Sequence, residues 1–247
     1  MEDKRALIAL SRLQGLNRIE KKRLAENPES VSSLFTDKSS VKGNLLSEKT
    51  VSFKDWKQIE ADITNVEALG GHIITIHDTT YPSLLRSMPD APIVLYARGP
   101  FKPGTDTLGI VGSRKATYEG INLAQKIAQT VSSVDITVVS GFARGIDSAA
   151  HRGGLKGNGK TVGVLGCGID ICYPPENKQL FNAIAEEGLL ITEYGPGERP
   201  LRFHFPERNR IIAGLSRGIL VVEASQKSGS LITARLGLEY GREVMAI

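Results

Sequence analysis

The chain has 247 residues, 40% hydrophobic and 23% charged, with 31 basic against 27 acidic side chains. That composition can bury a core, which excludes a disordered or fibrous polypeptide, and a net charge of +4 requires any basic surface to be assembled locally by folding. No apolar run approaches the ~20 residues of a membrane span, the start MEDKRALIAL lacks the form of a secretory signal, and Cys167 and Cys172 fit neither a disulfide framework nor a zinc site, so the expectation is a soluble cytoplasmic protein with no metal and no membrane partner.

Residues 1–70 read as a small helical unit. Ala6, Leu7, Leu10 and Leu13 share a helical face, Gly15 stops that helix, and Asn17 is placed to cap a second one that carries Ile19 and Leu24 as far as Asn27 and Pro28. A third helix is expected over 54–69, ended by Gly70 and Gly71. The string LQGLNRIEKKRL has the pattern of half a helix-hairpin-helix, whose turn offers N–H groups to a DNA phosphate; it reads equally well as a plain turn in a helical bundle. Residues 71–105 form a connector in which HIITI (72–76) and IVLYA (93–97) are short strands. Pro82, Pro89, Pro92, Pro100 and Pro103 exclude a continuous helix there.

From residue 106 the pattern changes. Apolar runs recur at LGIVG (108–112), ITVVS (136–140), TVGVLG (161–166), LLITE (189–193), GILVVEA (218–224) and EVMAI (243–247), and the first five each lead through a Gly/Ser-rich turn into a helical pattern. In the first of those helices Ile121, Ala124, Ile127, Ala128 and Val131 form one stripe. Continuous β-branched runs separated by amphipathic helices predict an α/β domain over 106–247, a doubly wound, mostly parallel Rossmann-like sheet with its strand-to-helix loops at one edge.

Ligands of such sheets lie outside the carboxyl ends of the strands, so five loops are the place to look for function. They are GSRKAT (112–117), SGFARGID (140–147), GCGIDICYPPEN (166–177), a long fourth loop over 194–209 that includes FHFPERNR, and SQKSGS (225–230). Glycine for close backbone approach, a hydroxyl or a cation, and a helix N-terminus recur in them, which is the equipment of a phosphate site. The candidates are Gly112, Ser113, Arg114 and Lys115, with the N-terminus of the 117–132 helix behind Arg114; Ser140, Gly141, Arg144 and Gly145; Arg208, Asn209 and Arg210; and Lys227, Ser228, Gly229 and Ser230. Five arginines stand against two glutamates between residues 196 and 217. GxGxxG is absent, and the one GxxxxGK[ST] match, GLKGNGKT (154–161), leads into an apolar run instead of following one, so ATP and NAD are not expected and no cofactor is assigned.

Aromatic residues stand beside these charges: Phe142, Tyr173, Tyr194, Phe203 and Phe205. A positive groove with stacking rings binds single-stranded nucleic acid, and the alternative for each ring is core packing. Catalytic constellations are harder to build. Asp147, Glu193 and Glu223 are the carboxylates near strand ends, Ser113 and Ser140 lack a nucleophile elbow, and an Asp147–His151 pairing one turn along a helix reads as structural.

Taken together, GIVGSRKAT, SGFARGIDSAAH, YPPEN after its Gly-Cys-Gly turn, FPERNRIIAGLS and VVEASQKSGSLITARLGLEYGR resemble the DNA-processing protein A (DprA, or Smf) family over residues 72–247, and YPSLLRSMPDAPIVLYARG resembles its lead-in. The N-terminal helices are similar in placement to that family's SAM-like domain. The resemblance implies a non-enzymatic, homodimeric protein that binds single-stranded DNA, protects it during natural transformation and loads the RecA recombinase. It implies a DNA pocket formed by Arg114 of the GSR motif, Lys160 of a Gly-Lys-Thr string, Phe205, the Arg208-Asn209-Arg210 string and the Ser228-Gly229-Ser230 turn. It also implies a winged-helix-like domain beyond the last strand, which this sequence does not reach. The competing reading is a Rossmann-like nucleotide-processing enzyme, such as a phosphoribohydrolase of nucleoside monophosphates, or a nucleotide sensor. In the hydrolases a PGGxGTxxE loop supplies a glutamate, and Ala234 and Arg235 stand in that region here.

Overall fold

The computed structural model describes residues 2–36, 53–226 and 228–247; Lys227 therefore lies outside the described residues. The chain begins with helices α1 (Glu2–Arg12), α2 (Arg18–Ala25), α3 (Pro28–Thr36) and α4 (Trp56–Ala68), followed by β1 (Gly71–Thr75), the single turn α5 (Ser83–Arg86) and β2 (Val94–Arg98). Asn17 caps α2 as its sequence position suggests: its side chain accepts from the Glu20 N–H at 2.9 Å and the Glu20 carboxylate accepts from the Asn17 N–H at 2.7 Å. Helix α3 was not expected. Pro28 reads as the stop of α2, and it is also the first residue of the next helix, where a missing N–H costs nothing.

Ala6, Leu7, Ile8, Ala9 and Leu10 of α1, and Leu13 just after it, are all buried, Ile8 and Ala9 included, because α1 is enclosed by α3, α4 and β2 rather than lying on one surface. The bundle-turn reading of residues 13–17 fits this packing. Glu20 occupies the donor of the turn, Lys21 and Lys22 donate to the carbonyls of Ser11 and Met88, and Arg18 pairs with Glu207 at 2.6 Å.

The remaining strands are β3 (Thr107–Gly112), β4 (Thr137–Ser140), β5 (Thr161–Val164), β6 (Leu189–Thr192), β7 (Gly218–Val222) and β8 (Glu243–Ala246). They alternate with α6 (Tyr118–Ser132), α7 (Ile146–Gly154), α8 (Lys178–Glu187), α9 (His204–Leu215) and α10 (Gly229–Glu239). One eight-stranded sheet results, in the order β1-β2-β6-β5-β4-β3-β7-β8. The six later strands are parallel and β1 and β2 add antiparallel at the β6 edge. This is the doubly wound, mostly parallel sheet that the apolar runs predict.

Side chains alternate between the two faces as strand geometry requires. Ile110, Val138, Leu220 and Val222 pack with Ala124 and Ala128 of α6 and Ile146, Ala149 and Ala150 of α7. Val111, Val139, Ile219 and Val221 join the cluster that holds Ile211, Ile212 and Ala213 of α9 and Ala234 of α10. The chain steps outward from β3 to β6 and then crosses back to β7 on the other side of β3, so the topological switch point lies between β3 and β7. The fourth loop is shorter than expected. Helix α9 begins at His204, since Pro206 falls in its first turn where proline is tolerated, and Arg208, Asn209 and Arg210 are helical rather than loop residues.

The Arg12–Asp62 ion pair ties α1 to α4, with the Asp62 side chain 1% and the Arg12 side chain 25% exposed. Arg12→Met leaves a buried carboxylate without its partner and should cost about 2–3 kcal/mol, below the full buried-pair penalty because Arg12 retains some solvent. Urea unfolding should register that loss, and Arg12→Met combined with Asp62→Leu should recover most of it; an equally unstable double variant would contradict the assignment.

Candidate functional site

A cleft of about 600 Å³ opens at the carboxyl edge where β3 and β7 diverge. Gly112, Ser113, Arg114 and Lys115 form one wall, Phe205, Arg208 and Asn209 of α9 a second, and Ser228, Gly229 and Ser230 at the start of α10 a third. Ten of the sequence candidates thus converge. The other six, Ser140, Gly141, Arg144, Gly145, Lys160 and Arg210, do not line the cleft.

Arg114 is exposed and forms no ion pair among the described residues; its guanidinium lies 5.7 Å from the centre of the Phe205 ring. Asp147, which lines the same cleft, is engaged elsewhere: it accepts from the N–H groups of Gly141 at 3.1 Å and Ala143 at 3.3 Å. Ser113 turns its hydroxyl back to accept the Lys115 N–H at 3.1 Å. Gly145 has φ +70°, and a Cβ there would collide with the Ser113 carbonyl, so the second loop is pressed against the first.

The two helix N-termini flanking the cleft differ in kind. At α10 the Ser228 hydroxyl accepts the Ser230 N–H at 3.2 Å, Asn209 donates its side-chain N–H to the Gly229 carbonyl at 3.1 Å, and Gly229 faces open space. At α6 the position is filled. Thr117 caps the helix, and Glu223 accepts both the Thr117 N–H at 2.8 Å and its hydroxyl. These Thr117 hydrogen bonds hold the Glu223 carboxyl below its usual range. The α6 end that the sequence suggested as the backing of a phosphate site therefore already carries an anion. Glu223 sits there with φ +51°, a conformation costly for any side chain, and Phe142 at the end of β4 has φ +58°.

Several predicted cations prove to be scaffold. Arg208 is 3% exposed and donates to the carbonyls of Gly141 and Val164; burial lowers its pKa to about 10, against the pull of Asp147. Burial likewise raises the Asp147 carboxyl, opposed by Arg208 and by the Ala143 and Gly141 N–H groups. Arg210 is buried between Glu193 and the Asp90 carbonyl. Lys160 precedes β5, at the edge opposite the cleft, and binds Glu187 at 3.0 Å. A residue in front of a parallel strand cannot reach the carboxyl edge. Arg217 pairs with Asp106 at 3.3 Å. Of the five arginines between 196 and 217, Arg199 and Arg202 are left exposed without an ion pair among the described residues.

The second loop contributes Arg144, exposed and paired with Glu176 of the third loop. Ser140 is buried and donates to the Ile110 carbonyl at 2.6 Å, while Gly141 is held by Asp147. Among the rings, Phe142 and Tyr194 are core residues, Tyr194 stacking on His204 at 4.0 Å. Phe203 and Tyr173 are exposed, and Tyr173 lies 5.5 Å from Phe205.

His151 does not pair with Asp147. Its Nδ1 lies 2.7 Å from the Thr161 hydroxyl, and burial lowers its pKa to about 3, so it stays neutral. Burial pushes the Cys167 thiol up to about 12. Among the described residues no three His, Cys, Asp or Glu side chains group as a metal site, and no helix is long and apolar enough to cross a membrane.

Comparison with known proteins follows the same residues. The family model described as DNA recombination-mediator protein A matches residues 72–247. DNA processing protein DprA of Streptococcus pneumoniae is 46% identical over 178 residues, covering 70% of this chain and 61% of that protein. Protein Smf of Synechocystis is 47% identical over 182 residues, covering 70% of this chain and 45% of that protein, so the chain spans less than two thirds of these relatives. The crystal structure of the S. pneumoniae protein superposes with a TM-score of 0.72 over 99% of this chain and 81% of its own. DNA processing protein A of Helicobacter pylori, solved for its single-stranded DNA binding mode, gives a TM-score of 0.65 at 28% identity, over 70% of this chain and 80% of its own.

The two kinds of arginine at this edge should separate in stability measurements. Arg208→Ala strips two buried carbonyls of their donor and leaves Asp147 uncompensated, and should cost about 3–5 kcal/mol. Arg114→Ala should stay within about 0.5 kcal/mol of the parent. Chemical denaturation of both variants tests this, and an Arg208→Ala protein as stable as the parent would remove its role as a brace.

Proposed function

We propose that this chain, which belongs to the DNA recombination-mediator protein A family, binds single-stranded DNA along the carboxyl edge of its sheet. The observation that carries the proposal is the exposed Arg114 guanidinium in a cleft that the Phe205 ring also lines, together with the N-terminus of α10, which a hydroxyl caps and not a carboxylate. A guanidinium holds a phosphate bidentately, the N–H groups of a helix end receive another oxygen, and a ring accepts a base of any identity. The cleft is built from loops and helix N-termini and not from the face of a helix, which favours a strand with splayed bases over a duplex.

The relatives' names support a place in recombination, and we extend it to this chain as loading of RecA in the cytoplasm, with DNA protected on the way. The non-catalytic reading is supported by the state of the carboxylates: Asp147, Glu193 and Glu223 are all tied into hydrogen bonds, and in the region where a hydrolase carries its acid Arg235 is paired with Glu239. Self-association is supported by the outer edge of the sheet, where Leu231, Ile232, Leu238 and Met245 of α10 and β8 are exposed together.

Titration with oligo(dT) and with blunt duplex at two salt concentrations tests the central claim. The strand should bind more tightly and its affinity should fall steeply with salt, as counterions are released. Arg114→Ala should weaken strand binding by roughly tenfold, the loss of a charged hydrogen bond of about 1.5 kcal/mol, and should reduce the salt slope by about one. Equal binding to duplex and strand would overturn the reading. For assembly, light scattering should give a dimer mass, and Leu238→Glu should shift it to a monomer; a monomeric parent would remove this part.

A further inference from the structure

We propose that Tyr173 is the base-stacking residue of this site, in a row of two rings flanked by two cations, Arg114–Phe205–Tyr173–Arg144, along which the strand lies. This rests on the single-strand reading above and assigns the base contact within it. The row draws on four segments of the carboxyl edge. Arg114 from the first loop lies 5.7 Å from the Phe205 ring, and Phe205 from α9 lies 5.5 Å from the Tyr173 ring at a tilt of 34°. Tyr173 shares the third loop with Glu176, the ion-pair partner of Arg144 on the second.

The two rings are not equivalent. Phe205 is half-buried and lies against the backbone at Gly166, where an added Cβ would come within 3.0 Å of it, so one of its faces is closed. Tyr173 is 44% exposed, and the residues after it are fixed. Pro174 is buried, and Asn177 donates to the Ser148 hydroxyl at 2.9 Å and to the Phe142 carbonyl at 3.4 Å. An exposed ring on a braced segment has already lost its backbone freedom, so stacking a base on it costs little further ordering. Cations at both ends of the ring pair place phosphates beside stacked bases, the arrangement of sequence-tolerant strand binders. Arg144 is paired with Glu176, both exposed, so a phosphate arriving there competes with a weak surface pair.

The test compares oligo(dT) with an abasic backbone of equal length, by fluorescence anisotropy, on the full chain. The parent should bind oligo(dT) more tightly than the abasic strand by about fivefold or more, the lower end of stacking on one ring. Tyr173→Ala should close that gap by losing affinity for oligo(dT) alone, while Tyr173→Trp should keep it and show quenching beyond that of Trp56. An undiminished gap in Tyr173→Ala, or equal losses on both strands, would overturn the assignment. Arg114→Ala should weaken both strands together; if it weakens neither, the cleft reading fails, and that outcome is separate from the behaviour of Tyr173.

Discussion

One desolvated guanidinium braces the carboxyl edge of this sheet. Arg208 reaches from α9 to the carbonyls of Gly141 and Val164, at the ends of β4 and β5, with the Asp147 carboxylate of α7 beside it. Helices α9 and α7 lie on opposite faces, so the side chain links both layers through the strand ends. Taking such a group out of water is unfavourable by several kcal/mol, and the carbonyl dipoles and the carboxylate offset it only while all of them keep their positions. Phe205 and Asn209 sit within one turn of Arg208 on the same helix. Their places in the cleft are thus set by an arginine that itself has little contact with solvent.

The fold was legible because its signal is local. Six apolar runs between amphipathic helices specify strands, order of elements and the edge at which loops gather. The Asn17 cap and the Gly70 stop are read from single residues. The cleft was half legible: GSR and SGS announce themselves by composition, whereas FPERNR misleads because residue type reveals a cation and not the direction it faces. A phase signal was available. His204, Arg208, Ile211, Ile212 and Leu215 recur at helical spacing and are buried together, yet reading Pro206 as a loop residue conceals the period. Lys160 misleads differently, since a Gly-Lys-Thr string looks like a phosphate loop but precedes a strand instead of following one. The pairing of Glu223 with Thr117, 106 positions apart in sequence, has no local trace.

The positive character of the cleft arises by subtraction. A net charge of +4 offers no broad basic field. Several of the arginines are neutralised within the fold, Arg12 by Asp62, Arg18 by Glu207, Arg210 by Glu193 and Arg217 by Asp106. What remains at the carboxyl edge is a short list, headed by Arg114. On the reading proposed above, pairing cations internally leaves the unpaired ones at this edge to mark an anion site, without the nonspecific attraction of a strongly basic protein.

Glu223 carries a consequence of its own. It holds a backbone angle that glycine would adopt freely, and it does so at the end of the strand bordering the switch point. The carboxylate is therefore retained for its side chain at the expense of local comfort. Replacing it with glycine would relax the turn and at the same time remove the carboxylate from the α6 helix end, adding a second candidate anion socket to the one proposed at α10. Conformational ease and the single track proposed above pull in opposite directions at this residue, and the fold keeps the carboxylate.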